Sequence, residues 1–177
     1  MPQTRCGFDD GPAGKGKDLL VGVGPTLLVD IGFDASFDVN NPIKTPQPGL
    51  VGVLALVDTG AIESCIDIAL ATSLGLPITD RRTLAGAGGL HTADVYLAQV
   101  HIPALKFTLY GAFTGVALSA GGQRHRALLG RTFLQNFRMI YDGVSGTVTI
   151  SNEPPNVVGS ISLLSAIAKA LLPPKKP

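Results

Sequence analysis

The chain has 177 residues, 45% of them hydrophobic, and fourteen Lys and Arg against thirteen Asp and Glu leave a formal net charge of +1. That length suits one domain with tails and a real core, and the charge balance provides neither a basic face for nucleic acid nor an acidic tail. Two cysteines, Cys6 and Cys65, cannot form a disulfide framework or a four-ligand zinc site, while 22 glycines, 13 prolines and 6% aromatics favour turns and short strands over a helical bundle.

The first residues, Met1-Pro2-Gln3-Thr4-Arg5-Cys6, lack a charged segment followed by an apolar one, so no secretory signal is visible and a cytoplasmic, soluble protein with reduced thiols is expected. Residues 1–18 are rich in Gly, Lys, Pro and Asp without periodicity, which predicts a flexible arm. Leu19–Val23 and Thr26–Ile31 read as strands around a Gly-Pro turn, followed by a proline-rich loop over 40–49. The run Leu50–Val57 is apolar throughout, as a strand buried on both faces would be, and it leads directly into Asp58-Thr59-Gly60-Ala61. Asp67 is placed to cap a helix Ile68–Leu74 that Gly75 and Pro77 end. Residues 83–90 predict a glycine-rich hairpin tip, and Ala93–Ile102 a half-exposed returning strand. Strands over Phe107–Phe113 and Gly115–Leu118 follow. Ala127–Arg131 then runs into a short helix at about Thr132–Asn136, and Arg138–Tyr141 with Thr147–Ser151 read as a last hairpin. In the tail, Leu163, Leu164, Ile167 and Leu171 share one helical stripe before Pro173.

Most local chemistry is unremarkable against its commonest meaning. Gly11–Asp18 has the spacing of a phosphate-binding P-loop, but Asp18 stands where Ser or Thr would hold the metal, and a polar arm precedes it instead of a strand. His91, His101 and His125 show no metal-ligand spacing and read as solvated, and Cys65 reads as an inert, buried thiol. Asp58-Thr59-Gly60 stands apart. Composition alone gives about a tenth of such a triplet in this chain, and a wholly apolar strand aims the carboxylate at the end of a sheet, where it is costly without a task or a partner. Gly60 permits the tight turn, and the Thr59 hydroxyl can tie the loop to a neighbouring backbone.

Three features in order, namely Leu56-Val57-Asp58-Thr59-Gly60-Ala61, the glycine-rich hairpin some 25–30 residues on, and Leu128-Leu129-Gly130-Arg131, resemble a retropepsin-like aspartic protease over about residues 50–150. The pattern is closer to cellular and bacterial single-domain members than to pepsin, and Arg81–Ile102 looks like a flap region. The resemblance implies a mostly β, closed barrel-like acid protease fold with one or two short helices and a flap hairpin. It divides the chain into an arm (1–18), a protease domain (19–155) and an amphipathic C-terminal helix with tail (156–177).

A single Asp-Thr-Gly implies a homodimer in which each subunit brings its Asp58 to a two-fold axis. The resemblance assigns catalysis to Asp58 and the active-site loop to Thr59, Gly60 and Ala61. The flap that closes on an extended peptide falls to Gly86, Ala87, Gly88, Gly89 and Leu90, and the support behind the loop to Leu128, Leu129, Gly130 and Arg131. No metal or organic cofactor is implied, and the expected partners are a second copy and a peptide or protein substrate, with no nucleic acid and no transmembrane segment. Many viral members carry an acid four positions after the catalytic Asp, where it pairs with the arginine of the Gly-Arg step. Here that position is Ile62, so Glu63 or Asp67 is the expected partner of Arg131. The resemblance thus implies an aspartic endopeptidase; the alternative is a retropepsin-like dimerisation or peptide-binding module without turnover. Residues 162–172 are expected to cover the core, extend the dimer or meet a membrane surface.

Overall fold

The computed structural model of the protein describes residues 2–38, 40, 45–86 and 89–152. The C-terminal helix expected within 156–177 lies outside the described residues. From Thr26 onwards the chain is mostly strand. β2 (Thr26–Gly32), β3 (Leu50–Val57), β4 (Cys65–Asp67), β5 (Ile78–Gly86), β6 (Gly89–Ile102), β7 (Phe107–Val116) and β8 (Ala127–Leu129) form one sheet in the order β2-β3-β8-β4-β7-β6-β5. A further pairing of β2 with β6, Asp30 opposite His101 and Gly32 opposite Gln99, bends that sheet into a closed barrel and leaves β5 outside the ring as the free arm of a hairpin. Closure removes two strand edges that would otherwise expose unpaired backbone.

Alternation decides what fills the barrel. Val53, Ala55 and Val57 of β3 are buried together with Leu27, Val29 and Ile31 of β2. The strand expected to be buried on both faces is buried on one only: Leu54 faces outward, 38% exposed, between buried Val53 and Ala55. Successive side chains of a strand point to opposite faces, and only the barrel side of β3 is covered. The predicted strands Phe107–Phe113 and Gly115–Leu118 are the single strand β7. Beneath it, Phe107, Phe133 and Phe137 stack edge-to-face and tilted at centroid separations of 4.8–6.1 Å.

The amino-terminal region departs most from the sequence reading. Residues 1–18 are not a free arm: β1 (Gln3–Arg5) pairs antiparallel with β10 (Thr147–Ser151), which pairs with β9 (Arg138–Asp142) in a second, three-stranded sheet. Past β1, the Cys6 and Phe8 amides continue along the last hairpin by donating to Val148 and Gly146, each at 2.9 Å. Cβ atoms on Gly7, Gly16 or Gly146 would collide with backbone across this junction, so three glycines let two chain segments touch directly. Leu19–Val23, read as a strand, belongs to α1 (Gly16–Val23). Gly16 and Leu20 are buried and Leu19 and Val23 half-buried, an i, i+3, i+4, i+7 stripe that overrides the β preference of two valines. The Asp10 carboxylate receives the Gly16 amide at 2.9 Å and the Lys15 ammonium at 2.9 Å, holding the first turn and lowering the Asp10 pKa.

α2 (Ile68–Ser73) starts after Asp67 and ends with Gly75 at φ +61°, as the sequence predicts for a glycine stop. The Asp67 side chain does not cap it. Fully buried, it accepts the Ser119 amide at 3.0 Å, the Ser119 hydroxyl at 2.9 Å and the Arg126 guanidinium at 3.0 Å. One carboxylate therefore pins both ends of the loop that leads into β8. α3 (Arg131–Leu134) follows β8 immediately.

Candidate active site

β3 and β8 lie side by side and parallel, with Leu56 opposite Leu128 and Val57 opposite Leu129. The Asp58 amide donates to the Leu129 carbonyl at 3.0 Å, so the ladder extends one residue past the strand and fixes the backbone that carries the carboxylate. The turn then folds back on that carboxylate, whose Oδ1 accepts the Gly60 amide at 2.8 Å and the Ala61 amide at 3.3 Å. Asp58 is half-buried, and Thr59 and Gly60 are exposed.

Behind the turn sits the segment 130–132. The Arg131 amide donates to the Ala61 carbonyl at 3.0 Å, the Thr132 amide to Ile62 at 3.1 Å, and the Gly130 amide to the Ser64 hydroxyl at 3.1 Å. A Cβ on Gly130 would lie 2.5 Å from the Glu63 carbonyl oxygen and 3.1 Å from that of Ala61. Glycine is required here by contact and not by torsion, since its φ of −82° suits any residue. Ser64, buried and also within 3.3 Å of the Thr132 hydroxyl, is a supporting residue that the motif reading did not single out. Its only signal was a hydroxyl six positions after the Asp.

The arginine of the Gly-Arg step has neither of the expected partners. Glu63 faces Arg82 at 3.6 Å and Asp67 is taken by Arg126, while among the described residues the Arg131 guanidinium reaches the Thr59 carbonyl, at 3.5 Å. With Ile62 in place of an acid, and 67% exposed, no ion pair of Arg131 with a carboxylate forms among the described residues.

β5 and β6 form the long glycine-rich hairpin, in register from Asp80 opposite Val95 to Gly86 opposite Gly89. Gly89 has φ +97°, and Leu90 is 77% exposed. The expected flap residues Ala87 and Gly88 lie outside the described residues. The Arg82–Glu63 pair joins this hairpin to the Asp58 loop.

Around the loop, the Cys65 thiol is pushed up to about 11, first by burial and then by the Glu63 and Asp58 carboxylates. His125 is buried, not solvated: its Nε2 lies 2.8 Å from the Thr26 hydroxyl, its Nδ1 has no hydrogen-bond partner among the described residues, and burial lowers its pKa. Among the described residues no His, Cys, Asp and Glu side chains cluster as a metal site, and no helix is long and apolar enough to cross a membrane.

No protein-family model matches the chain, and no curated protein matches it. Solved structures do. A retropepsin-like aspartic protease from Rickettsia conorii aligns over 84% of this chain and 89% of its own, with 18% identity and a TM-score of 0.47. The EIAV protease complexed with the inhibitor HBY-793 aligns over 63% of this chain and 85% of its own, with 18% identity and a TM-score of 0.41.

Proposed function

We propose that the protein is an aspartic endopeptidase of the retropepsin type, which hydrolyses peptide bonds in extended segments with two copies of Asp58 at a homodimer two-fold. The observation that carries this reading is the Asp58 turn itself. A carboxylate is presented half-exposed at the end of a strand that buries one face in the barrel, with one oxygen held by two backbone amides and the turn locked from behind by Gly130 and Ser64. A turn needed only to reverse the chain gains nothing from this fixation, whereas a reacting group gains from being held in place before substrate arrives.

In the proposed dimer the two carboxylates stand about 3 Å apart and share one proton. The ionised member takes a proton from water as its oxygen attacks the scissile carbonyl. The protonated member donates to the forming oxyanion, giving a neutral gem-diol. Collapse of that diol breaks the C–N bond as a proton passes to the leaving amine, and the pair is again singly protonated. The β5–β6 hairpin closes over the peptide, and its backbone groups meet the substrate edge-on as an added strand would.

Cleavage of casein, followed from acidic to neutral pH at several protein concentrations, tests this. The expected result is cleavage by wild type with a specific rate that rises with concentration, and none by Asp58→Asn. Equal cleavage by both proteins overturns the assignment of Asp58. Wild type inactive at every pH and concentration favours the non-catalytic peptide-binding module.

A further inference from the structure

His101 and His125 each bond a threonine hydroxyl, in unlike surroundings. The His101 ring lies 2.9 Å from the Thr108 hydroxyl, is half-buried and stands opposite Asp30, whose carboxylate offsets part of the cost of charging it. His125 is 2% exposed, and no carboxylate pairs with it among the described residues.

The bonds around His125 assign its tautomer. The Thr26 hydroxyl donates its single hydrogen to the Gly24 carbonyl at 3.0 Å, so the ring is the donor in the 2.8 Å contact from Nε2 to that hydroxyl. Nδ1 is then a bare acceptor, buried and without a hydrogen-bond partner among the described residues. A proton added there makes a buried cation whose second N–H has nothing to bond.

The neighbouring elements do little for such a charge. Arg124 and Arg126 flank the ring in sequence and repel it. Asp67, at the end of β4, is committed to Arg126 and Ser119. β2 presents the uncharged Thr26, β3 the Leu54 carbonyl, and Cys6, whose carbonyl accepts the Thr26 amide, has a thiol that burial keeps neutral. Asp18 of α1 is the exception, and it stands across open space. It lines a cavity of about 650 Å³ between α1, through Leu19 and Gly22, and the segment 121–125 that carries His125.

The loop between β7 and β8, residues 117–126, is held at three places. Asp67 takes the Ser119 amide and the Arg126 guanidinium, the Arg126 amide donates to Leu54 at 2.8 Å, and His125 reaches β2. We propose that His125 is an acid-sensitive latch: neutral, it ties this loop to β2, and protonated, its ring swings into the cavity so that the loop parts from β2 and α1. In the cavity the charged ring meets water and the Asp18 carboxylate, and Thr26 keeps its bond to Gly24. Asp67 still holds both ends of the loop, so the opening stays local. An exposed histidine titrates near 6.5, and the closed site disfavours the proton. The latch is therefore fully closed above about pH 6.5, and one proton raises the open fraction by up to about tenfold for each pH unit below it. The inference is independent of the protease reading.

Amide protection of the full chain at about pH 7 and pH 5, corrected for the intrinsic effect of pH on exchange, tests it beside an NMR titration of the ring. In wild type the Gln123 and Arg126 amides lose at least about tenfold protection over that range, the β6–β7 ladder keeps its own, and the ring titrates in step with the loss. His125→Gln retains an N–H for Thr26 and takes no proton, so it holds its protection down to pH 5. Unchanged protection in wild type overturns the proposal. A loss that His125→Gln retains also overturns it and assigns the opening to a carboxylate such as Asp67. If the glutamine variant already lacks protection at pH 7, the wild-type titration decides: a ring that charges above pH 5 while the loop stays protected overturns the latch, and a coincident change supports it.

Discussion

The Asp58 turn and the β5–β6 hairpin are both glycine-bearing loops on one barrel, and they are held in opposite ways. The turn is short and gripped from outside itself: β8, Gly130, Arg131, Thr132 and Ser64 all bond or touch it. The hairpin is long and held along its length by its own ladder, with ion pairs such as Arg81–Asp94 at 2.8 Å added on its surface. The contrast teaches which loop keeps its shape when nothing is bound. External packing fixes a position, whereas a two-stranded ladder fixes only a shape and leaves the hairpin free to tilt on its base.

That contrast can be broken at its strong side first. Gly130→Ala places a methyl group against the Glu63 carbonyl and is expected to cost about 3 kcal/mol, read as a lower denaturation midpoint, with the proposed proteolytic activity lost as well. Arg126→Ala leaves the buried Asp67 with only its Ser119 bonds. Because the arginine is itself partly exposed, the expected loss is about 2 kcal/mol in urea unfolding, accompanied by faster amide exchange in residues 118–126.

A smaller effect depends on pH. Burial pushes the Cys6 thiol up to about 12 from an unfolded value of 9.0, so the folded state binds this proton more tightly. Its contribution is complete below pH 9 and is lost as pH rises towards 12. Unfolding measured at about pH 8 and pH 10 should show a decline in wild type that Cys6→Ala makes shallower. Least of all, Arg81→Ala on the hairpin removes an exposed pair and is expected to leave the midpoint where it is. A large loss there would mean that the hairpin is gripped from outside as the turn is.

Much of the barrel was legible because its strands carry their own signals. Thr26–Ile31, Leu50–Val57 and the long hairpin all follow from apolar runs bounded by glycine and polar residues, as does the β9–β10 hairpin of the second sheet. What failed was long-range. Whether Leu54 is covered depends on which elements reach that side of β3, and the sequence of β3 does not contain that information. His125 lies between two arginines in sequence yet is buried, because Thr26, 99 residues earlier, receives its ring. Arg131 lost its expected partners to Arg82 and Arg126, a competition settled by three-dimensional reach. Helix α1 differs from these cases, because the helical spacing of residues 16, 19, 20 and 23 stands in the sequence itself, interleaved with β-preferring valines and with glycines.

The pairing of β1 with β10 has a consequence for how the molecule is made. Gln3 finds its partner in Ser151 and Arg5 in Thr149, so β1 stays unpaired until a strand made after the whole barrel has emerged. The barrel strands are complete well before then and can close while the second sheet still lacks an edge. During that interval residues 3–8 have no native partner, and their docking is expected as a late step, slowed by the long loop it must close. A chain truncated before residue 147 would therefore keep every barrel strand and leave residues 3–8 unpaired and open to proteolysis.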